Sequence, residues 1–388
     1  MDFLNDKFEC LAKTFFGLEN VLAAEIELLG GTDVKILNRA VGFTCDKKLL
    51  YAANLSLRTA LRIMVPLAKV NLSDAKDLYK AAMKIDWTKI FNFDKTISVN
   101  SYATEPFFRN SNYAALLVKD AISDTFTKKL GSRPDVEKRN PDIVIDVYVN
   151  RKEAVISIDA SGDSLHRRGY RLEKNLAPLN EVLAAGIILL SEWDGKTTFI
   201  DSMCGSGTLP IEAAMIAKNI PPNLRRKNFA FKQWKNFDIF LFNKVRNTLK
   251  RNIKDSDTRI IGSDIDREAV TISISNAERA NVDDDIEFYV APFEEFSPPA
   301  GEKHLVINPP YDERIKKEDI IEFYKMIGNT LKNKYVDTTA WIFTGNNVAR
   351  KAIGLKPSRK IPLYNGPIES RLLKFEIYEG SRRKSEED

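Results

Sequence analysis

Histidine is nearly missing from this 388-residue chain, which has two, His166 and His304, far apart in sequence. An imidazole-based zinc site and a Ser-His-Asp hydrolase are thereby disfavoured, and no metal site is expected. Cysteine is scarce too: Cys10, Cys45 and Cys204 are the full set. Three thiols are too few for a disulfide framework and suit a reducing interior. Long hydrophobic runs are lacking; the longest, residues 182–190, falls far short of the ~18–20 residues that cross a bilayer. The start, MDFLNDKFECLAKTFF, has acids where a signal peptide needs a basic end and an apolar run. The expectation is a soluble cytoplasmic protein without a membrane partner, and no obligate protein partner is evident.

A strong excess of charge is also lacking. The chain has 59 Lys and Arg against 54 Asp and Glu, a formal net charge of +5, which permits a polyanionic partner without demanding one. What is present is a globular composition, 44% hydrophobic and 29% charged. At a prior of ~150 residues per domain the length implies two or three units.

Residues 8–13 read as a strand, and 18–29 as a helix with apolar spacing stopped by Gly30-Gly31. Two short strands (34–37, 41–45), a helix (48–57) and a strand (62–70) follow. Strand–helix–strand–strand–helix–strand is the split order of a ferredoxin-like unit. Next come a helix at 73–85, a strand at 96–102, a long helix at 112–130, and a strand pair, 142–149 and 154–159. Polar-rich residues 161–175 are the linker candidate. From about Leu176 helices and strands alternate, which implies a mainly parallel sheet covered on both faces. The last strand, 372–378, is expected to pair near 359–363. The resulting layout is 1–65, 66–160 and 161–380, with 381–388 a disordered tail.

Three motifs suggest chemistry. In FIDSMCGSGTLPIEAA, residues 199–214, a strand ends at Asp201, a turn uses Gly205 and Gly207, and a helix starts near Thr208. Such a turn lets backbone approach a ligand, and a helix N-terminus offers free N–H donors. Yet it reads D-x-x-C-G-S-G-T rather than G-x-G-x-x-G, Pro210 stands where a third glycine is needed, and the triphosphate-loop basic residue is absent. A smaller ligand with an amino-acid end and a ribose fits better than a dinucleotide. The bland alternative is a tight turn with glycine for sterics alone. The second motif, IIGSDIDREAV, puts Asp264 at a strand tip, where a carboxylate holds ribose hydroxyls. Asp266 follows, either as a ligand or merely as a helix cap. Asp264 lies 63 residues beyond Asp201, against ~20 in dinucleotide folds, so something long is inserted, and Pro221–Arg251 accounts for it.

The third motif is the sharpest. In HLVINPPYDERI an apolar strand runs into Asn308-Pro309-Pro310-Tyr311. Two prolines remove two backbone donors and leave carbonyls free to accept. Asn308 adds a side-chain acceptor and Tyr311 a flat ring, a combination suited to an exocyclic amine and its base. An ordinary proline turn is the competing reading.

Together these motifs resemble class I S-adenosylmethionine-dependent amino-methyltransferases. Ala177-Pro178-Leu179-Asn180, MCGSGTLPIEAA, NPPYDERI and NGPIESRLLKFEI resemble one branch closely: the THUMP-domain guanine-N2 methyltransferases of 23S rRNA, the RlmL-like family, often labelled N6-adenine-specific DNA methylases. LAKTFFGLENVLAAEIELLGG, NYAALLVKDAISDTF, DIVIDVYV and LHRRGYR extend the likeness over nearly the whole chain. Larger members carry a second, fused methyltransferase domain, for which this chain is too short. The resemblance implies an α/β fold: a Rossmann-like class I methyltransferase domain (161–380) preceded by α+β ferredoxin-like (1–65) and THUMP (66–160) domains. It also implies S-adenosylmethionine as cofactor. Asp201, Gly205, Gly207 and Thr208 would line its methionine end and sulfonium, with Cys204 a small buried spacer in that turn, and Pro178, Leu179, Asn180 and Asn308 would also contact the cofactor. Asp264, Ile265 and Asp266 would lie at the ribose, and Ala291, Pro292 and Phe293 at the adenine. Asn308, Pro309, Pro310 and Tyr311 would hold a flipped guanine.

A structured RNA partner, 23S rRNA or else tRNA, needs basic contacts. Candidates are Arg167, Arg168, Tyr170 and Arg171 in the linker, and Arg225, Arg226, Lys227, Lys232, Trp234 and Lys235 in the insertion, where cations interleave with aromatics. A solvated charged loop is the plain alternative for each. Other readings stay open: tRNA guanine-N2 or N6-adenine methylation, or a non-catalytic RNA-binding assembly factor. A nicotinamide-dependent oxidoreductase is disfavoured by the missing third glycine.

Overall fold

The computed structural model describes residues 4, 6–104, 107–108, 110–171, 179–310 and 317–378. The chain divides into two compact units. One comprises Met1–Thr14, Leu22–Arg167 and Pro221–Arg251, the other Phe15–Val21, Arg168–Ile220 and Asn252–Asp388.

In the first unit the elements are β1 (Phe8–Lys13), α1 (Glu19–Leu28, begun in the other unit's segment), β2 (Thr32–Leu37), β3 (Ala40–Cys45), α2 (Lys47–Ser56) and β4 (Arg62–Asn71). There follow α3 (Lys76–Lys84), β5 (Ile97–Ala103), α4 (Ser111–Leu130), β6 (Ile143–Asn150) and β7 (Glu153–Asp159). They build one sheet of order β2-β3-β1-β4-β7-β6-β5. All neighbours are antiparallel except β5 and β6. The first four strands show the expected split order. β4 pairs with both β1 and β7, so strands on either side of residue 65 share one sheet. Local signals hold the helices: Asp46 caps α2 by accepting from the Leu49 N–H (2.7 Å), and Gly131, at φ 69°, ends α4. On β6 Ile143, Ile145, Val147 and Val149 are fully buried, in the period-two pattern of a half-covered strand.

The second unit contains α5 (Glu181–Leu190), β8 (Thr198–Asp201) and α6 (Thr208–Ala217). The chain then supplies α7 (Ile239–Arg251) to the first unit. The rest are β9 (Ile260–Asp264), α8 (Arg267–Ala280), β10 (Glu287–Val290), β11 (Lys303–Ile307), α9 (Lys317–Lys334), β12 (Thr338–Thr344), β13 (Arg359–Asn365) and β14 (Ile368–Ile377). The sheet order is β10-β9-β8-β11-β12-β14-β13, parallel except for β14. The sequence of strands reverses between β8 and β11, and in open α/β sheets the crevice at the carboxyl ends beside such a reversal is where ligands bind. His304 on β11 is a core residue: its Nε2 lies 2.8 Å from Ser191 Oγ, and burial pushes it down to about 4.

Two expectations change here. Pro221–Arg251, placed within 161–380, belongs to the first unit, and its aromatics are core: Phe229, Phe231, Trp234 and Phe242 are all buried, with Phe231 and Phe242 against Tyr51 at 4.7 and 5.7 Å. Trp234 therefore offers no ring to RNA. The described part of 161–175 is no free linker either, because Leu165, Arg168 and Tyr170 are buried. The tail 381–388 lies outside the described residues.

Candidate active site

A cleft of about 780 Å³ opens at the carboxyl ends of the second unit's sheet. Its walls come from the tips of β8, β9, β10 and β11, and its size falls within the ~300–1,000 Å³ usual for small-molecule sites.

β8 delivers Asp201, which is 1% exposed and accepts from the Met203 N–H at 3.2 Å. Burial, and then the nearby Asp264 charge, push its carboxyl well above the ordinary carboxylate range. Cys204 donates its N–H to the Ser263 carbonyl, at the end of β9, over 2.9 Å. Its thiol is buried and pushed up, first by that burial. The turn tightens through Gly207, whose N–H reaches the Cys204 carbonyl at 2.8 Å. Gly207 has φ 77°, and a Cβ there would approach Ser273 Cβ to 3.0 Å, so both conformation and space demand glycine. Ser273 Oγ in turn donates to the Gly205 carbonyl (2.7 Å), and Asn276 to that of Ser206 (3.0 Å). The turn is clamped from α8.

β9 delivers Asp264. One carboxylate oxygen accepts from the Gly205 N–H at 2.9 Å, the other from the Asp266 N–H at 3.0 Å. The same side chain thus ties the glycine turn to the loop that opens α8. Its backbone carbonyl accepts from Ala291 at 3.0 Å, placing Pro292 and Phe293 beside the cleft. Asp266 caps α8, accepting from Glu268 at 2.9 Å, and also lines the cleft, so cap and wall coexist in one residue.

β11 delivers Asn308, whose side-chain oxygen is buried and has no hydrogen-bond partner among the described residues. Pro309 and Pro310 complete the corner. Tyr311 and Pro178 lie outside the described residues.

The cleft brings together Leu179, Asp201, Cys204, Gly205, Thr208, Asp264, Ile265, Asp266, Pro292, Phe293, Asn308, Pro309 and Pro310. Three expected cofactor residues stand elsewhere among the described ones. Gly207 shapes the turn from behind, Ala291 contributes its N–H to Asp264, and Asn180 caps α5 by accepting from Val182 (3.0 Å) and Leu183 (3.4 Å). Missed altogether were Phe323 and Met326 on α9 and the turn Asn365-Gly366-Pro367-Ile368 between β13 and β14. The Gly-Pro pair was a visible turn signal, but nothing local says that its hairpin reaches the cleft.

The basic candidates separate sharply. Arg168 is a buried structural residue: its Nε lies 3.0 Å from Glu212 Oε1, the two side chains being 1% and 0% exposed. Tyr170 donates to the same oxygen at 3.1 Å, and burial raises its hydroxyl well above the usual range. Arg171 pairs with Glu181 at 3.3 Å and donates to Thr208 Oγ1 and the Leu179 carbonyl (3.2 Å), bracing two cleft residues from outside. A buried cation of this kind must be paired, so Arg168 and Tyr170 are corrected from RNA contacts to internal supports, and Arg171 joins them. Arg226 is likewise committed, donating to the carbonyls of Ser161 (3.1 Å), Asp163 and Ser164 (3.1 Å). Lys232 and Lys235 donate to the carbonyls of Lys227 and Thr88. Arg167, Arg225 and Lys227 are exposed.

Comparison with known proteins now gives the family. Residues 168–374 match the family described as RMKL-like, methyltransferase domain; residues 73–159 match the THUMP domain, and 9–64 the RlmL ferredoxin-like domain. A Synechocystis sp. (strain ATCC 27184 / PCC 6803 / Kazusa) protein named as a candidate RNA methyltransferase, slr0064, is 37% identical over 93% of this chain and 95% of its own. Among solved structures, a methylase candidate from Clostridium difficile 630 aligns with TM-score 0.88 and 30% identity, covering 97% of this chain and 100% of that one. SMU.472, a methyltransferase candidate complexed with SAH, aligns with TM-score 0.87 and 28% identity over the same shares. Among the described residues no helix is long and apolar enough to cross a membrane. The glycine turn, the strand-tip acids and the proline corner therefore sit in a chain that belongs to the RMKL-like methyltransferase family, with RlmL ferredoxin-like and THUMP domains ahead of its methyltransferase domain.

Proposed function

We propose that this S-adenosylmethionine-dependent RNA methyltransferase modifies the exocyclic N2 amine of a guanine in 23S rRNA, with the base turned out of its stack into the Asn308 corner. The observation that carries the reading is the buried side-chain oxygen of Asn308 on the cleft, which has no hydrogen-bond partner among the described residues. Such an orphaned acceptor costs about 1–3 kcal/mol, which an incoming amine N–H would remove.

The residues present fit the cofactor: an amide-bearing glycine turn at the head of α6, buried Asp201, and Asp264 line one continuous cleft. Leu179, Asp201, Cys204, Gly205 and Thr208 would hold its amino-acid end, Asp264 to Asp266 its ribose, and Pro292 with Phe293 its adenine. When bound, the cofactor supplies an electrophilic methyl group on a sulfonium. A guanine amine is a weak nucleophile because its lone pair is delocalised into the ring. Acceptors at Asn308 and the Pro309 carbonyl would orient its N–H bonds and leave the lone pair free to face the methyl donor. No strong base would be required, because the alkylated nitrogen is acidic and would lose its extra proton to water after transfer, in keeping with the scarcity of histidine. Alignment of two held partners can supply up to ~7–11 kcal/mol of the barrier, against a few kcal/mol to extrude the base. The THUMP domain supports structured RNA over DNA as the target.

Mass spectrometry of rRNA and tRNA nucleosides from a deletion strain tests the proposal. Loss of N2-methylguanosine from 23S rRNA is expected. Loss of it from tRNA instead, or loss of N6-methyladenosine, overturns the target or the base; Asn308 alone serves either amine, since both bases present an exocyclic NH₂.

A further inference from the structure

We propose that the β13–β14 turn, Asn365-Gly366-Pro367-Ile368, together with Phe323 and Met326 of α9, forms the wall that receives the extruded purine of the RNA strand. The proposal rests on the reading of Asn308 as the amine acceptor and adds the opposite side of that base site.

The cleft lining falls into two chemically distinct sets. One set comes from the tips of β8, β9 and β10 and carries the acids and the glycine turn. The other comes from α9 and the hairpin and is mostly apolar. β14 lies two strand positions beyond β11, separated from it by β12, a lateral distance of about 10 Å. β14 runs antiparallel to β12 with Arg371 opposite Thr344, the last residue of β12, so Ile368 lies three residues past the sheet's carboxyl edge. At 3.3 Å per residue the turn stands roughly 10 Å above that edge. A cofactor held over β8 to β10 therefore leaves the space between Asn308 and this turn for a second, planar ligand.

The turn is built to hold a fixed shape without leaning on the core. Asn365 and Ile368 are paired, which leaves a two-residue loop. Gly366 takes φ 59° and Pro367 fixes the next residue, a combination that closes a hairpin tightly. Both are exposed, and a Cβ on Gly366 would meet nothing within 4 Å. Its tip borders the cleft and not the interior. Ile368, Phe323 and Met326 add an aliphatic, an aromatic and a thioether contact, surfaces that suit the face of a nucleobase.

Ile368→Ala and Pro367→Ala test the wall, with Lys360→Ala, at the far end of the hairpin, as control. Each protein is assayed with S-adenosylmethionine and ribosomal RNA from a deletion strain, and its SAH affinity is measured by calorimetry. The wall variants are expected to raise KM for RNA or lower kcat/KM by about 10- to 100-fold, the range for lost pocket contacts, with SAH affinity unchanged. Wild-type kinetics in both variants would overturn the wall, as would loss of SAH affinity, which would make the turn a cofactor contact. A wild-type protein that binds SAH but methylates no ribosomal RNA would instead overturn the rRNA reading beneath it.

Discussion

In the first unit's seven-stranded sheet all neighbours but β5 and β6 run antiparallel, so the carboxyl ends of its strands are divided between the two edges of the sheet. In the second unit's seven-stranded sheet β10, β9, β8, β11 and β12 run parallel, so the loops that follow them gather at one edge. The strand order reverses there between β8 and β11, and the cleft with Asp201, Asp264 and Asn308 opens at that place. Equal strand number thus yields different possibilities. The antiparallel sheet offers a covered core and an open face, whereas the parallel one concentrates loop chemistry where two crossovers part.

The contrast between core support and site chemistry can be broken by substitution. The largest stability effect is expected at Arg168. Arg168→Leu strands the buried Glu212 carboxylate and should cost about 3–5 kcal/mol in denaturant unfolding, with much of it recovered in the Arg168→Leu/Glu212→Leu double variant. The exposed neighbour Arg167→Ala should stay within about 0.5 kcal/mol. If Arg168→Leu left stability intact and weakened only RNA binding, the buried-support assignment would fall. A smaller effect, on ligand and not on fold, is expected at Asp264. Asp264→Ala removes the strand-tip carboxylate that also anchors the Gly205 N–H, and should weaken cofactor binding by about 1.5–3 kcal/mol in calorimetry. Unchanged affinity would move the ribose contact to another residue.

Much of this architecture is legible in the chain itself. Alternating apolar residues mark β6, and the D-x-x-C-G-S-G-T turn marks the β8–α6 junction, because period and glycine placement are local properties. Strand order in the first four strands follows from the split ferredoxin-like pattern. What local pattern hides is burial. Arg168, Tyr170 and Trp234 look like an RNA-facing mixture of cations and rings, yet Glu212, 44 residues downstream of Arg168, neutralises the first, and Tyr51 and its neighbours surround the aromatics of the insertion. Long-range pairing is also why the Asn365–Ile368 turn went unseen as part of the site: its place depends on β14 inserting beside β12, which no residue in the turn announces.

The role proposed for Asn308 is to hold the amine that receives the methyl group and not the cofactor. Turnover of Asn308→Ala, measured beside its SAH affinity, tests this most directly. Methyl transfer lost by several orders of magnitude, with affinity within a few-fold of wild type, is expected. A near-wild-type rate, or a loss explained wholly by failed cofactor binding, would contradict it.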